Sequence, residues 1–186
     1  MFKGVYRPSE DSILLSTSLK CRRYNDYDLM VDFGSGSGVQ SIVIASMNYY
    51  VVAIDIKFEA CINTVYNARL NNLDAYIDVI CTSSFLDAIR DDINNIFVAS
   101  NPPYLPVPLE DGDLNWAGGY NGLDVIIGLL YSLDKFKLYT LYLIISSYTD
   151  INKLLQICDN MKLNVRFIDG LSFPGEEIYL LEICKK

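Results

Sequence analysis

The sequence predicts a doubly wound α/β fold, a mostly parallel sheet with helices on both faces and an antiparallel hairpin at its C-terminal side. Three observations predict it. Strand-length apolar runs alternate with segments of helical period, a glycine-rich turn joins the first strand to the next helix, and no helix-length segment separates the last two runs. Taken in order, Ser9 follows Pro8 and precedes Glu10 and Asp11, so it reads as the N-cap of a helix carrying Ile13, Leu14 and Leu19. Leu29 to Phe33 reads as a buried strand, Gly38 to Met47 as a helix and Val51 to Asp55 as a second strand, a βαβ unit. Helical spacing runs from Glu59 to Asn71. Ile77 to Cys81 and Ile96 to Ser100 are strands, and Leu123 to Leu133 is helical after a Gly/Pro-rich stretch. Leu138 to Ile145 is a strand, Asp150 to Asn160 a helix, and Val165 to Ile168 and Ile178 to Ile183 complete seven strands, joined by Asp169-Gly170 through Pro174-Gly175. Ligands on such a sheet sit at the carboxyl ends of its strands.

A chain of 186 residues, 51% hydrophobic and 20% charged, is sized for a single domain spanning 1–186 with its own core. No apolar run approaches the roughly 18 residues of a membrane span, and the first residues lack a signal-peptide pattern, so the expectation is a soluble, cytoplasmic protein with no membrane partner. Five cysteines without a C-x-x-C pair, and no histidine, predict no metal site; Cys61, Cys81, Cys158 and Cys184, among apolar neighbours, read as small buried thiols in a reducing compartment. Without histidine there is no Ser-His or Cys-His nucleophile pair, and chemistry must proceed without the commonest general base. A formal net charge of −8 with no long Lys/Arg cluster argues against direct nucleic-acid binding and for a protein substrate or a basic partner.

Asp32-Phe33-Gly34-Ser35-Gly36-Ser37-Gly38 lies where the first strand hands over to the first helix of the βαβ unit. Glycines permit positive φ and close approach of a ligand, and the helix start offers unpaired N–H groups. Asp55 ends the second strand 23 residues after Asp32, where a carboxylate can accept two hydrogen bonds from a ribose diol. The dinucleotide pattern G-x-G-x-x-G would need glycine at position 39, where this chain has Val39. A tight strand-to-helix connection is the bland alternative. The acidic-x-G-x-G-x-G form instead resembles motif I of class I methyltransferases.

Asn101-Pro102-Pro103-Tyr104 closes the fourth predicted strand on the same rim. Each proline bars the residue before it from the helical region and lacks an N–H, so the segment is stiff and extended. The Asn101 side-chain oxygen and the Pro102 carbonyl are then fixed acceptors for the two protons of an –NH2 group, and Tyr104 can cover its flat face. A conjugated nitrogen is a poor nucleophile; two acceptors on its hydrogens favour pyramidalisation and aim its lone pair. The alternative is that Asn-Pro-Pro only breaks a strand into a loop.

N-P-P-Y resembles the hallmark of amino-methyltransferases acting on adenine, guanine or glutamine. Val5-Tyr6-Arg7-Pro8-Ser9-Glu10-Asp11-Ser12 and Asn115-Trp116-Ala117-Gly118-Gly119, followed by Gly122, are similar to two further segments of the HemK-like glutamine methyltransferases of eukaryotes and archaea. That resemblance implies the seven-stranded, Rossmann-like class I methyltransferase sheet. It implies S-adenosylmethionine as cofactor and the glutamine of the Gly-Gly-Gln tip of a class I translation termination release factor as substrate. By it, Tyr6, Glu10 and Asp11 border the cofactor, and Asp32, Gly34, Gly36, Gly38 and Asp55 hold it. Ser84-Phe85 takes the place of an Asp-Leu pair that touches adenine in many relatives. Asn101, Pro102, Pro103 and Tyr104 grip the glutamine, with Asn101 also reaching the cofactor. It further implies a heterodimer with a small zinc-binding activator that covers an exposed strand edge, expected at the strand with Ile77, Val79 and Ile80. Departures from the pattern are Arg7 for an acid, Asp32 for a glutamate and Val107 for a threonine. The competing functions are an adenine or guanine N-methyltransferase acting on RNA or DNA, and a noncatalytic cofactor-binding subunit.

Overall fold

The computed structural model describes residues 2–110 and 112–185, Met1, Asp111 and Lys186 lying outside it. Helices are α1 (Glu10–Lys20), α2 (Val39–Ser46), α3 (Phe58–Leu70), α4 (Asp124–Leu133) and α5 (Ile151–Asn160). Strands are β1 (Leu29–Phe33), β2 (Val51–Asp55), β3 (Ile77–Cys81), β4 (Asn95–Ser100), β5 (Leu138–Ser146), β6 (Asn164–Phe173) and β7 (Glu176–Lys185). They form one sheet in the order β3-β2-β1-β4-β5-β7-β6, parallel except for β7, which runs antiparallel to both β5 and β6. None of the described helices is long and apolar enough to cross a membrane.

Strands buried on both faces read as continuous apolar runs, and alternate residues enter two different cores. Val31, Val52, Ile54, Ile96, Val98 and Leu141 face Ile126, Leu129, Leu130 and Leu133 of α4 and Leu154 and Cys158 of α5. Met30, Val51, Ala53, Phe97, Ala99 and Ile144 face Leu14, Leu15 and Leu19 of α1, Val43 and Ile44 of α2 and Ala68 of α3. Each fully buried Leu or Ile contributes about 1.5–3 kcal/mol, so sliding one strand by a residue would exchange the two faces and forfeit many such terms. The order reverses between β1 and β4, which pair with Phe33 opposite Ser100, while β1 pairs with β2 through Phe33 opposite Ile54. Gly34, Asp55 and Asn101 therefore leave the sheet side by side at the switch point, where α/β sheets bind ligands.

Ser9 holds the expected N-cap position of α1 with extended backbone, its hydroxyl bonding the neighbouring Glu10 carboxylate rather than a backbone N–H. Two expectations need correction. Cys81, read as a buried thiol, is exposed at the end of β3, whereas Cys61, Cys158 and Cys184 are buried. The last two strands extend well past the predicted limits. Asp169 and Gly170 stay within β6 because a bulge between Phe167 and Asp169 absorbs the irregularity, and the turn shrinks to Pro174-Gly175. β3 and β6 are the sheet edges, as expected for the strand with Ile77, Val79 and Ile80.

One buried carboxylate ties the antiparallel end together. Glu182 of β7 accepts from Arg22 Nη1 at 2.5 Å and from Arg166 Nε and Nη2 at 3.0 and 2.6 Å. Arg22 follows α1 and also donates to the Tyr27 hydroxyl at 2.7 Å, so the network joins the first helix to the last hairpin. Glu182→Ala strips both guanidiniums of their shared partner, but Arg166 is largely exposed and can turn to water, so an expected loss of roughly 1–3 kcal/mol is checked by the urea midpoint at constant m-value.

Candidate active site

The glycine turn is built by backbone geometry. Gly34, Gly36 and Gly38 have φ of 76, 53 and 81°, a region that L side chains rarely adopt. At Gly38 space also excludes a side chain, since an added Cβ would lie 2.9 Å from Thr64 Cγ2 of α3. Gly34 lines a cavity of about 680 Å3, and an added Cβ there would meet nothing within 4 Å. That volume is in the range that takes a nucleoside-sized ligand.

Asp32 stands behind the turn, 1% exposed, and does not line the cavity. Its Oδ2 accepts from Ser41 N at 2.9 Å and Ser41 Oγ at 2.6 Å, so it satisfies an otherwise orphaned N–H in the first turn of α2. Burial pushes its carboxyl up to about 6 against the lowering effect of Ser41. Asp55, by contrast, faces the cavity. Its Oδ2 accepts from Gly36 N and its Oδ1 from Lys57 N, both at 2.8 Å. Two amides fix the carboxylate and leave lone pairs on each oxygen for a diol.

Asn101 is the third element of the rim. Its Oδ1 is buried with no hydrogen-bond partner among the described residues, an acceptor that normally would not be left unpaired. Pro102, Pro103 and Tyr104 continue along the cavity wall. The hydroxyls of Tyr104 and Tyr6 both donate to Asp11 Oδ2, at 3.2 and 2.9 Å. Burial first, and the Asp11 charge second, push both phenols well above their usual range, so they stay protonated as donors. Asp11 is thus buried yet paired, and it joins the N-terminal segment to the strand end.

Two stretches that sequence reading could not resolve in detail complete the wall. The segment after β4 returns as a close-packed turn: Leu105 N donates to Trp116 O at 3.1 Å, and Gly118 N to Leu105 O at 2.8 Å. Gly122, at φ 67°, sits where an added Cβ would lie 2.1 Å from Tyr104 O, which explains the glycines that follow Trp116. Lys57, Gln40, Thr82, Ser83, Trp116 and Glu176 also line the cavity. Only Trp116 belongs to a segment singled out in the sequence; the others carry no pattern of their own, and the topology gathers them. Among the predicted residues, Tyr6, Asp11, Gly34, Gly36, Asp55, Phe85 and Asn101 to Tyr104 converge here. Glu10, Asp32, Gly38 and Ser84 do not. Glu10 is exposed on the outer side of α1, Gly38 packs on α3, and the Ser84 hydroxyl turns to Thr82 at 2.7 Å. Phe85 lines the cavity instead, at φ 50°, stacked on Phe33 with centroids 5.6 Å apart.

Strand order, glycine turn, Asp55 and the Asn101 strand end together define a class I S-adenosylmethionine-dependent methyltransferase. The ribosomal protein L11 methyltransferase (PrmA) family profile matches residues 17–100. The Methanocaldococcus jannaschii protein named "Putative protein N5-glutamine methyltransferase" is 30% identical over 191 residues, covering 95% of this chain and 90% of that one. The chain belongs to the protein N5-glutamine methyltransferase family. The eRF1 methyltransferase catalytic subunit mtq2 of Schizosaccharomyces pombe is 33% identical over 71% of this chain and 67% of its own. Among solved structures, the E. cuniculi Mtq2–Trm112 complex matches with a TM-score of 0.74 at 20% identity, over 98% of this chain and 99% of the other.

Asp32 holds its proton more tightly in the fold than the ~3.9 of an unfolded aspartate. Its contribution is therefore present in full below about pH 4 and lost as pH rises through about 6. Relative to Asp32→Asn, the native chain should gain roughly 1–3 kcal/mol between pH 7 and pH 4, measured by urea unfolding of both proteins at the two pH values.

Proposed function

We propose that this protein transfers the methyl group of S-adenosylmethionine to the side-chain nitrogen of the glutamine in the Gly-Gly-Gln motif of a class I translation termination release factor, giving N5-methylglutamine. The buried, unpartnered Asn101 Oδ1 beside a nucleoside-sized cavity carries the reading. Family membership supports glutamine, and mtq2, named for eRF1 methylation, supports the release factor.

The cofactor supplies a methyl group on a sulfonium. Asp55, fixed by Gly36 N and Lys57 N, would hold the ribose diol, and Gly34 and Gly36 would admit the cofactor to the backbone. Phe85, with Thr82 and Ser83, borders the base. Asn101 Oδ1 and the Pro102 carbonyl accept the two amide protons, and the stiff Pro102-Pro103 backbone keeps them in place. Tyr104, its hydroxyl anchored on Asp11, closes one side of the amide. That grip would aim the nitrogen lone pair at the cofactor side of the cavity, and the proton the nitrogen gives up would pass to solvent. No side-chain base is required. Asp32 and Gly38 support the site from outside the cavity.

The protein acts in the cytoplasm as a single domain, 1–186, paired with a small zinc-binding activator along β3. Exposed Phe58, Ile62, Tyr66 and Leu70 form an i, i+4 stripe on α3 beside that edge, an apolar surface fit for a partner. The E. cuniculi relative was solved with Trm112, which supports a small partner.

Asn101→Ala should reduce methyl transfer by about 100-fold or more while cofactor affinity stays within about threefold (about 0.7 kcal/mol), read by mass spectrometry of the release factor and by calorimetry. A release factor whose Gly-Gly-Gln glutamine is changed to arginine should take up no methyl; equal labelling of both factors would favour a different acceptor, a nucleobase included.

A further inference from the structure

Lys57 occupies an unusual place: its backbone and its side chain serve different walls of one cavity. Its N–H fixes Asp55 Oδ1 at 2.8 Å, while its Nζ donates to Asp113 Oδ1 at 2.9 Å, Asn115 Oδ1 at 3.0 Å and Gly4 O at 3.4 Å. Asn115 Nδ2 also donates to Gly4 O at 3.1 Å. Three segments distant in sequence, the start of the chain, the residues after β2 and the turn 112–118, therefore meet on one ammonium. The turn is compact: Trp116 N and Ala117 N both donate to Asp113 O, and Leu114, Asn115, Trp116 and Ala117 line the cavity. Its far end is pinned to the catalytic strand end through Gly118 N on Leu105 O.

We infer that Lys57 is a positioning residue that latches the turn 112–118 over the bound cofactor and so couples cofactor binding to the assembly of the glutamine site. The inference rests on the S-adenosylmethionine-dependent reading above. The latch suits a cover that must reopen. Asp113 is exposed, and an exposed ion pair is weak and screened by salt, so it retards escape of the product without trapping it. The same turn bridges Leu105, the residue after Tyr104, so that a cofactor which holds Asp55 and favours the closed turn also favours the productive shape of the strand end.

Trp116 is the only tryptophan of the chain and reports the turn directly. Stopped-flow fluorescence of Trp116 and calorimetry, with S-adenosylmethionine and S-adenosylhomocysteine as probes, are to be run on the native protein, Lys57→Met, Lys57→Arg and the exposed-site variant Asp113→Ala. Lys57→Met and Asp113→Ala should each weaken cofactor binding roughly 3- to 10-fold, mainly through faster dissociation, and the double variant should be no worse than the single ones. Lys57→Arg should recover part of the loss, and salt should speed dissociation from the native protein more than from Lys57→Met. Unchanged dissociation in both Lys57→Met and Asp113→Ala, with a native chain that binds, would overturn the latch alone. A native chain that binds neither probe would sink the parent reading and the latch with it. Asp113→Ala, on the surface, keeps the test valid should Lys57→Met fold poorly.

Discussion

Two-sided burial of the central strands is the constraint on which the site depends. β1, β2 and β4 carry apolar side chains into a core on each face, so none of the three can slide without exchanging one core for the other. Fixed register sets the level at which each chain leaves the sheet. Phe33, Ile54 and Ser100 stand in line, and the next residues, Gly34, Asp55 and Asn101, leave the rim as neighbours. A nucleoside site and a nitrogen-gripping site are adjacent because hydrophobic packing far below them allows no other alignment.

The rim is acidic, and each acid is managed differently. Asp32 is sealed away and held by Ser41, Asp11 accepts from two phenol donors, and Asp55 is fixed by two amides while keeping open lone pairs. Only the last faces a ligand with acceptor capacity to spare. Lys57 is the cation nearest this group of acids in the sequence, and its ammonium is aimed away from Asp55, toward the turn that closes the cavity.

Much of this was legible in the sequence because the decisive features are local. A glycine run with positive φ, an acid at a strand end and two prolines after an asparagine have few other uses in that order. Strand and helix positions followed from apolar period, and the edge position of β3 came with the resemblance. What the sequence could not show depends on long-range placement. Asp32 and Gly38 sit inside the glycine motif yet serve α2 and the packing of α3, because position in a motif does not say which side of the backbone a group faces. Glu10 follows the same logic on α1, one residue from Asp11 and turned outward. Gln40, Lys57, Trp116 and Glu176 come from four separate segments, and no spacing along the chain brings them together. The hairpin limits failed for a local reason, since a bulge lets Asp169 and Gly170, turn formers by composition, remain in the strand.

The two ends of the sheet are not equivalent. β3 is a short, regular edge, whereas β6 is bent by its bulge and carries Arg166, Asp169 and Gly170. Growth of a sheet through many chains needs two receptive edges on each molecule, and this one offers a regular edge on one side only. A strand added along β3 would therefore find no equally regular edge on the far side of the sheet from which to continue the series.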